Sequence, residues 1–188
     1  WSVLEAEVWA DGTLHKPNGD VCDENIELFC SKAWTGMVVT IKMAFVATLI
    51  GFFFSIPIAS LAANNMAPLP IAMPARVLLA GLRSLPSIIW ALLFAIALGF
   101  GPLPGILAMT LYTIGYLGKL QYEAMEGVHN APLESGLAMG LTHSEQLFHV
   151  VIPESSNHLL SQLLFMFEYN VRHGAVLGLV GAGGIGMY

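Results

Sequence analysis

The run SLPSIIWALLFAIALGFGPLPGILAMTLYTIGYLG, residues 84–118, carries thirty-five consecutive positions without a charge. As one helix it would be about 50 Å long, far more than the ~30 Å hydrocarbon core of a bilayer. It contains its own break, Gly99-Phe100-Gly101-Pro102-Leu103-Pro104-Gly105, through which no helix runs, because proline lacks the amide donor and glycine favours turns. The stretch therefore reads as two apolar helices in a hairpin, over 77–98 and 104–120.

Working outward, the same pattern recurs. Residues 43–63 hold no charge, and the apolar run starts near Trp34. It predicts a span over 34–62, kinked at Pro57 and with Lys42 snorkelling near one end. Residues 64–75 contain three prolines and read as a connector. A last apolar run predicts a span over 158–180. The expected fold is an all-α, polytopic transmembrane bundle. Composition agrees: of 188 residues 56% are hydrophobic and 11% charged, against about 25% charged in soluble domains, and the mean hydropathy is +0.70.

Charge collects at the ends of these runs. Residues 1–33 hold seven of the thirteen acids against Lys16 and Lys32, so this segment faces water. A net charge of −6 offers no basic surface to nucleic acid. Cys22 and Cys30 both lie here, and two readings stand: a disulfide if the segment faces an oxidising compartment, or two free thiols. Two cysteines without nearby histidine make no metal site. Trp1 does not open a leader, which would need a basic region ahead of an apolar run. Lysine and arginine counts tie across the spans, so they set no orientation.

Residues 119–157 form a long polar loop with helical content. Asn130 and Pro132 suit a helix start and Glu134 its positive end. Gly140 suits the left-handed residue that ends the helix. Thr142-His143-Ser144-Glu145 reads as a capping box opening a second helix, which Pro153 should stop near Val151. Leu133, Leu137 and Leu141 share one stripe; Leu147, Phe148 and Val151 share another.

This loop resembles the EAA motif of ABC importer permeases: Glu-Ala-Ala, three residues, Gly, nine residues, then Ile-x-Leu-Pro. Here it stands as Glu134-Ser135-Gly136, Leu137-Ala138-Met139, Gly140, residues 141–149, and Val150-Val151-Ile152-Pro153. Ser135 and Gly136 replace the alanines, and Gly136 should weaken its helix by about 1 kcal/mol. Further stretches are similar to the phosphonate-type branch: Ser55-Ile56-Pro57, Gly99-Phe100-Gly101-Pro102, Gly118-Lys119-Leu120, Glu168-Tyr169-Asn170-Val171-Arg172 and Val180 to Gly186. Methionine permeases share the Gly-Gly-Ile-Gly ending.

The resemblance implies a methionine-permease-like fold in a cell membrane, with further helices beyond both ends of the chain. It implies a homodimer working with ABC ATPase subunits, which hydrolyse ATP, and with an extracytoplasmic solute-binding protein. No cofactor is implied. Glu134, Ser135, Gly136, Gly140 and Pro153 would form the ATPase-coupling element, with 119–157 cytoplasmic and 1–33 outside. Substrates of such a permease are small solutes, here a phosphonate, phosphite or phosphate, with a methionine-type or other solute as the alternative. A membrane scaffold or channel without an ATPase is the reading from another class.

Other candidates weigh less. Gly181-x-Gly183-x-x-Gly186 matches a dinucleotide fingerprint, but no βαβ unit or following acid accompanies it; it reads as a helix break with close backbone packing. Glu168 and Arg172, four apart inside the last span, form either a self-compensating ion pair or part of an anion path. Arg83 reads as an interfacial side chain, and His129, His143 and His149 as solvated loop residues.

Overall fold

In a computed structural model the chain is described over residues 7–8, 14–15, 32–179, 181 and 184–187. Both cysteines, and with them the expected disulfide, lie outside the described residues. A minimal antiparallel ladder pairs β1 (Glu7–Val8) with β2 (Leu14–His15). Among the described residues everything else with regular structure is helical: α1 (Lys32–Ala62), α2 (Leu69–Ser84), α3 (Ser87–Leu98), α4 (Pro102–Glu126), α5 (Asn130–Ala138), α6 (His143–Gln146), a π-turn (Leu147–Val151), α7 (Ile152–Gly178) and a 3₁₀ turn (Ile185–Met187).

Two sequence expectations fail for reasons proline supplies. The connector over 64–75 is helical from Leu69 onward, because Pro68 and Pro70 occupy the cap and first turn, where no intrahelical donor is needed. The turn itself is shorter, closed by the Met66 and Ala67 amides donating to Ala63 O at 3.1 and 3.0 Å. The single span over 77–98 is broken. Pro86 forces Leu85 out of the helical region, to φ −94° and ψ 130°, and α2 and α3 meet at 81°. Among the described residues, Trp34–Ala62 is the one helix long and apolar enough to cross a membrane, while α2 and α3 pass only taken together.

The hairpin break falls where its glycines predict. Gly99 and Gly101 take φ of 88° and 154°, and α4 starts at Pro102, with both its early prolines in the first turn.

Packing is inside-out by the standard of a water-soluble protein. Ala44, Ala47, Ala59, Ala62, Ala63 and Ala108 are fully buried, while Phe53, Val77 and Ile96 are 66%, 69% and 84% exposed. Alanines line the seams together with a few large side chains such as Met109, Leu117 and Met166, while many other large apolar side chains face outward, as helices packed in lipid do. α4 is the hub, touching α1, α2, α3 and α7. Its glycines set the spacing: a Cβ on Gly115 would stand 2.9 Å from the Arg83 amide nitrogen and from Leu82 Cβ, and one on Gly118 would strike Leu79.

A polar clamp holds three helices. Asn170 of α7, 1% exposed, donates from Nδ2 to Thr48 Oγ1 of α1 and to Thr113 Oγ1 of α4, each at 2.9 Å. Beyond α7, Gly181 and Gly184 turn the chain at φ 83° and 84°. The Gly101 amide donates to Gly181 O at 3.0 Å and the Ile185 amide to Thr40 Oγ1 at 2.9 Å. The glycine segment thus lies back over the hairpin end of the bundle, as a tight backbone contact.

Candidate functional site

The polar loop is bolted to one end of the bundle. Leu133 of α5 and Leu147 and Val151 of the π-turn are buried with Ala59, Ala63, Met125 and Val128. Buried Gln146 donates from Nε2 to Leu133 O at 3.0 Å, tying the second helical piece to the first. Gly140, at φ 79°, makes the turn between them. The capping box forms: Glu145 Oε2 accepts from the Thr142 amide at 2.8 Å and from its hydroxyl at 2.7 Å. The Thr142 amide, followed by the Thr142 hydroxyl, holds the Glu145 carboxyl below the usual carboxylate range, with His149 adding a smaller lowering against slight desolvation.

Three details differ from the sequence reading. The loop's two leucine-type stripes are split, since Leu133, Leu147 and Val151 are buried while Leu137, Met139 and Phe148 are 56%, 72% and 63% exposed. The helix starts one residue early, with His129 in the cap position. Pro153 does not stop the second helix. The chain widens into the π-turn, where the Ile152 amide reaches back to Leu147 O, and Pro153 then sits in the first turn of α7. Residues 143–178 are consequently continuous helix.

Gly136 has a use that its low helix propensity conceals. A Cβ there would lie 3.3 Å from Val150 Cγ2 and 3.4 Å from Leu141 Cδ1, so glycine lets α5 approach the π-turn closely. Glu134, Ser135 and Pro153 are exposed, and Ser135 Oγ donates to Pro132 O at 2.8 Å. Gly140, Leu137, Met139 and Phe148 are exposed as well, so the loop carries uncovered apolar side chains in addition to the Glu134 carboxylate.

At the same end, Arg76 of α2 pairs with Glu126 of α4. Arg76 Nε also donates to Ala62 O at 2.8 Å, its guanidinium lies 4.9 Å from the Tyr122 ring centre, and Glu126 accepts from the Asn64 amide at 2.7 Å. Sequence reasoning missed this lock and the Asn170 clamp; their partners are fifty or more residues away in the chain.

Of the path candidates, Glu168 and Arg172 form their ion pair on α7, with side chains 62% and 75% exposed. Arg83 is in the last turn of α2, where a cation is favoured. His129 is exposed, and His149 Nδ1 lies 3.0 Å from Glu145 O. Between α4 and α7 a cleft of about 430 Å³ is lined by Glu123, His129, Glu154, His158 and Gln162, among others.

An all-α bundle with apolar outer faces, small-residue seams and a buried polar clamp has the make-up of a membrane domain. Residues 55–188 match the profile of the binding-protein-dependent transport system inner membrane component family, and the chain belongs to that family. It is 42% identical over 151 residues to the phosphite transport system permease protein of Stutzerimonas stutzeri, covering 80% of this chain and 55% of that one. It is 38% identical over 171 residues to the phosphate-import permease protein of Mycolicibacterium smegmatis, covering 90% of this chain and 31% of that one. The chain thus spans about half, or less, of the length of these relatives. Its fold is that of a subunit of the MetNI methionine ABC transporter (TM-score 0.73, 23% identity, 81% of this chain and 76% of that one). An amino acid ABC transporter also shares it (TM-score 0.64, 22% identity, 79% and 72%).

Proposed function

We propose that this chain is the multi-pass, membrane-spanning permease part of an ATP-driven importer, and that its solute is a small phosphorus oxyanion: phosphonate, phosphite or phosphate. The solute class rests on the relatives, a phosphite transport system permease protein and a phosphate-import permease protein. On this reading a binding protein delivers the solute on the outer face, where residues 1–33 lie. Two copies of the chain work together, and separate ATPase subunits supply the energy from the cytoplasm.

The observation that carries the reading is the α5–Gly140–α6 element. It exposes Leu137, Met139 and Phe148 while burying Leu133, Leu147 and Val151 in the bundle. Exposed apolar side chains on a polar, water-facing loop are stable when a partner covers them. The rigid attachment behind them suits a lever that receives a push. Glu134, Ser135, Gly136 and Gly140 belong to this element and Pro153 follows it in the first turn of α7, which supports their assignment to ATPase coupling.

The test is co-purification of the ATPase together with solute uptake. Gly140→Val places a β-branched residue at positive φ, at a strain of about 1–3 kcal/mol, and Phe148→Ser removes an exposed apolar side chain. Both variants, and Glu134→Ala, are expected to reach the membrane in parental amounts yet lose ATPase binding and uptake. Parental binding and uptake in all three would refute the assignment.

A further inference from the structure

The end of the bundle that carries the polar loop is built from two apolar clusters. One holds Ala59 and Ala63 of α1, Met125 of α4, and Leu133, Leu147 and Val151 of the loop. The other holds Ala62 of α1 and Ile114 of α4 with Ala75, Leu79 and Leu82 of α2. The loop belongs to the first cluster and α2 to the second. Tyr122 packs against both, and the Arg76 guanidinium of α2 lies over its ring, 4.9 Å from the centre.

Arg76 therefore sits where the two clusters meet, and its polar bonds cross between them. It pairs with Glu126, the last residue of α4. Its Nε donates at 2.8 Å to Ala62 O, a carbonyl at the end of α1 that no further turn of helix satisfies. Glu126 in turn accepts from the Asn64 amide at 2.7 Å, and Asn65 Nδ2 donates to Met125 O at 2.8 Å. The end of α1, the turn after it, α2 and the end of α4 are thus fastened at one place, just before α5 begins at Asn130.

Stability alone does not account for this pair. A carboxylate at a helix C-terminus faces the negative end of the helix dipole. The two side chains are only 26% and 29% exposed, so both charges are partly stripped of water, and a well-packed apolar pair in their place is often no less stable. An apolar contact slides, whereas a guanidinium fork held by a carboxylate, a carbonyl and a ring fixes direction. α2 needs such fixing, because the 81° break before α3 leaves it out of line with the rest of its apolar run.

We infer that Arg76 and Glu126 are positioning residues that make α2 follow the polar loop. A displacement of α5 reaches the end of α4, Glu126 draws Arg76 with it, and the α2 arm of the broken span moves too. That an ATPase supplies the displacement rests on the permease reading above; the tie itself rests on these contacts.

Two experiments test it. The first reads amide hydrogen exchange in α2, in the full-length protein as purified from its membrane in detergent. Leu133→Ala loosens the loop cluster and should raise exchange over residues 71–76 several-fold. In a Glu126→Gln background the same substitution should leave α2 unchanged. Equal increments in the two backgrounds, or no response in either, overturn the tie. This arm needs neither solute nor ATP, so it stands or falls apart from the importer reading. The second uses the transporter assembled with its ATPase and binding protein in lipid vesicles, with phosphite as the solute. Arg76→Met/Glu126→Leu should keep the parental melting temperature, ATPase co-purification and ATP hydrolysis, while phosphite moved per ATP falls about two- to thirtyfold. A merely structural lock would lose stability and leave that ratio alone, so a parental ratio overturns the inference. A parent that moves no phosphite refutes the solute reading instead, and the exchange experiment then decides.

Discussion

Asn170 is the position where the bundle's stability can be tested most directly. Its Nδ2 donates two 2.9 Å bonds, to Thr48 on α1 and Thr113 on α4. The Thr48 hydroxyl passes its own proton to Ala44 O at 2.6 Å, so it is already oriented to accept. Interhelical hydrogen bonds in lipid are worth about 0.6 kcal/mol on average and up to about 1.7; two of them give roughly 1–3 kcal/mol. Asn170→Ala also empties the space of a wholly buried amide, which adds on the order of 1 kcal/mol. The expected loss is about 2–4 kcal/mol, read as a shift in unfolding by denaturing detergent in mixed micelles. A double-mutant cycle with Thr113→Val isolates one bond and should show a coupling of about 0.6–1.7 kcal/mol. Additive losses, or a single-mutant loss below about 0.5 kcal/mol, would show that α1, α4 and α7 are held by packing alone.

Two further outcomes follow from local geometry. Gly115→Ala should destabilise the protein by about 1–3 kcal/mol, because its Cβ meets the backbone of α2 at 2.9–3.0 Å, whereas Gly81→Ala, with nothing within 4 Å, should be neutral or slightly stabilising; equal melting temperatures for the two variants would refute the close α2–α4 approach. Glu145 has a depressed folded-state pKa, so its contribution is fully present above the ordinary carboxylate pKa and is lost as pH falls through the lower folded value. Protection of the Thr142 amide from hydrogen exchange should fall in that acid window in the parent and stay flat in Glu145→Gln; a flat parental profile would sink the capping-box account.

Local rules made the polar loop legible. The Thr142–Glu145 box and the left-handed turn at Gly140 depend on neighbours within a few residues, and each is formed as its spacing predicts. The Gly–Pro hairpin at 99–102 was legible for the same reason. Pro132 was read correctly as a first-turn residue of α5, but proline was misread at four other places. Pro68 and Pro70 start α2 where a connector was expected, Pro86 breaks a run read as continuous, and Pro153 is absorbed by a π-turn where a stop was expected. The Asn170 clamp and the Arg76–Glu126 lock were out of reach, because nothing near residue 170 or 76 in the chain indicates Thr48, Thr113 or Glu126. A lone Asn in an apolar helix flags only that some partner exists.

The continuity of residues 143–178 changes what the loop can transmit. A helix stopped at Val151 would make the loop a separate piece, joined to the last helix by a flexible proline corner. Instead α6, the π-turn and α7 form one rod of about 50 Å. At one end Gln146 and Val151 fix it to α5 and α4. In its upper half Asn170 fixes it to α1 and α4, and Gly174 sits so close to α1 that a Cβ would lie 2.8 Å from Thr40 Cγ2. The rod's irregular turn, the π-turn, carries the exposed Phe148 itself and lies between Gly140 and the face that carries His158, Tyr169 and His173. Such wide turns are rare and are frequent at functional sites. On the permease reading, a push on the loop would reach α7 through the π-turn, and α5 would follow because Gln146 holds it. The π-turn is thus the one departure from α-helical geometry between the loop and α7, and Gly140 sets the angle between α5 and α6.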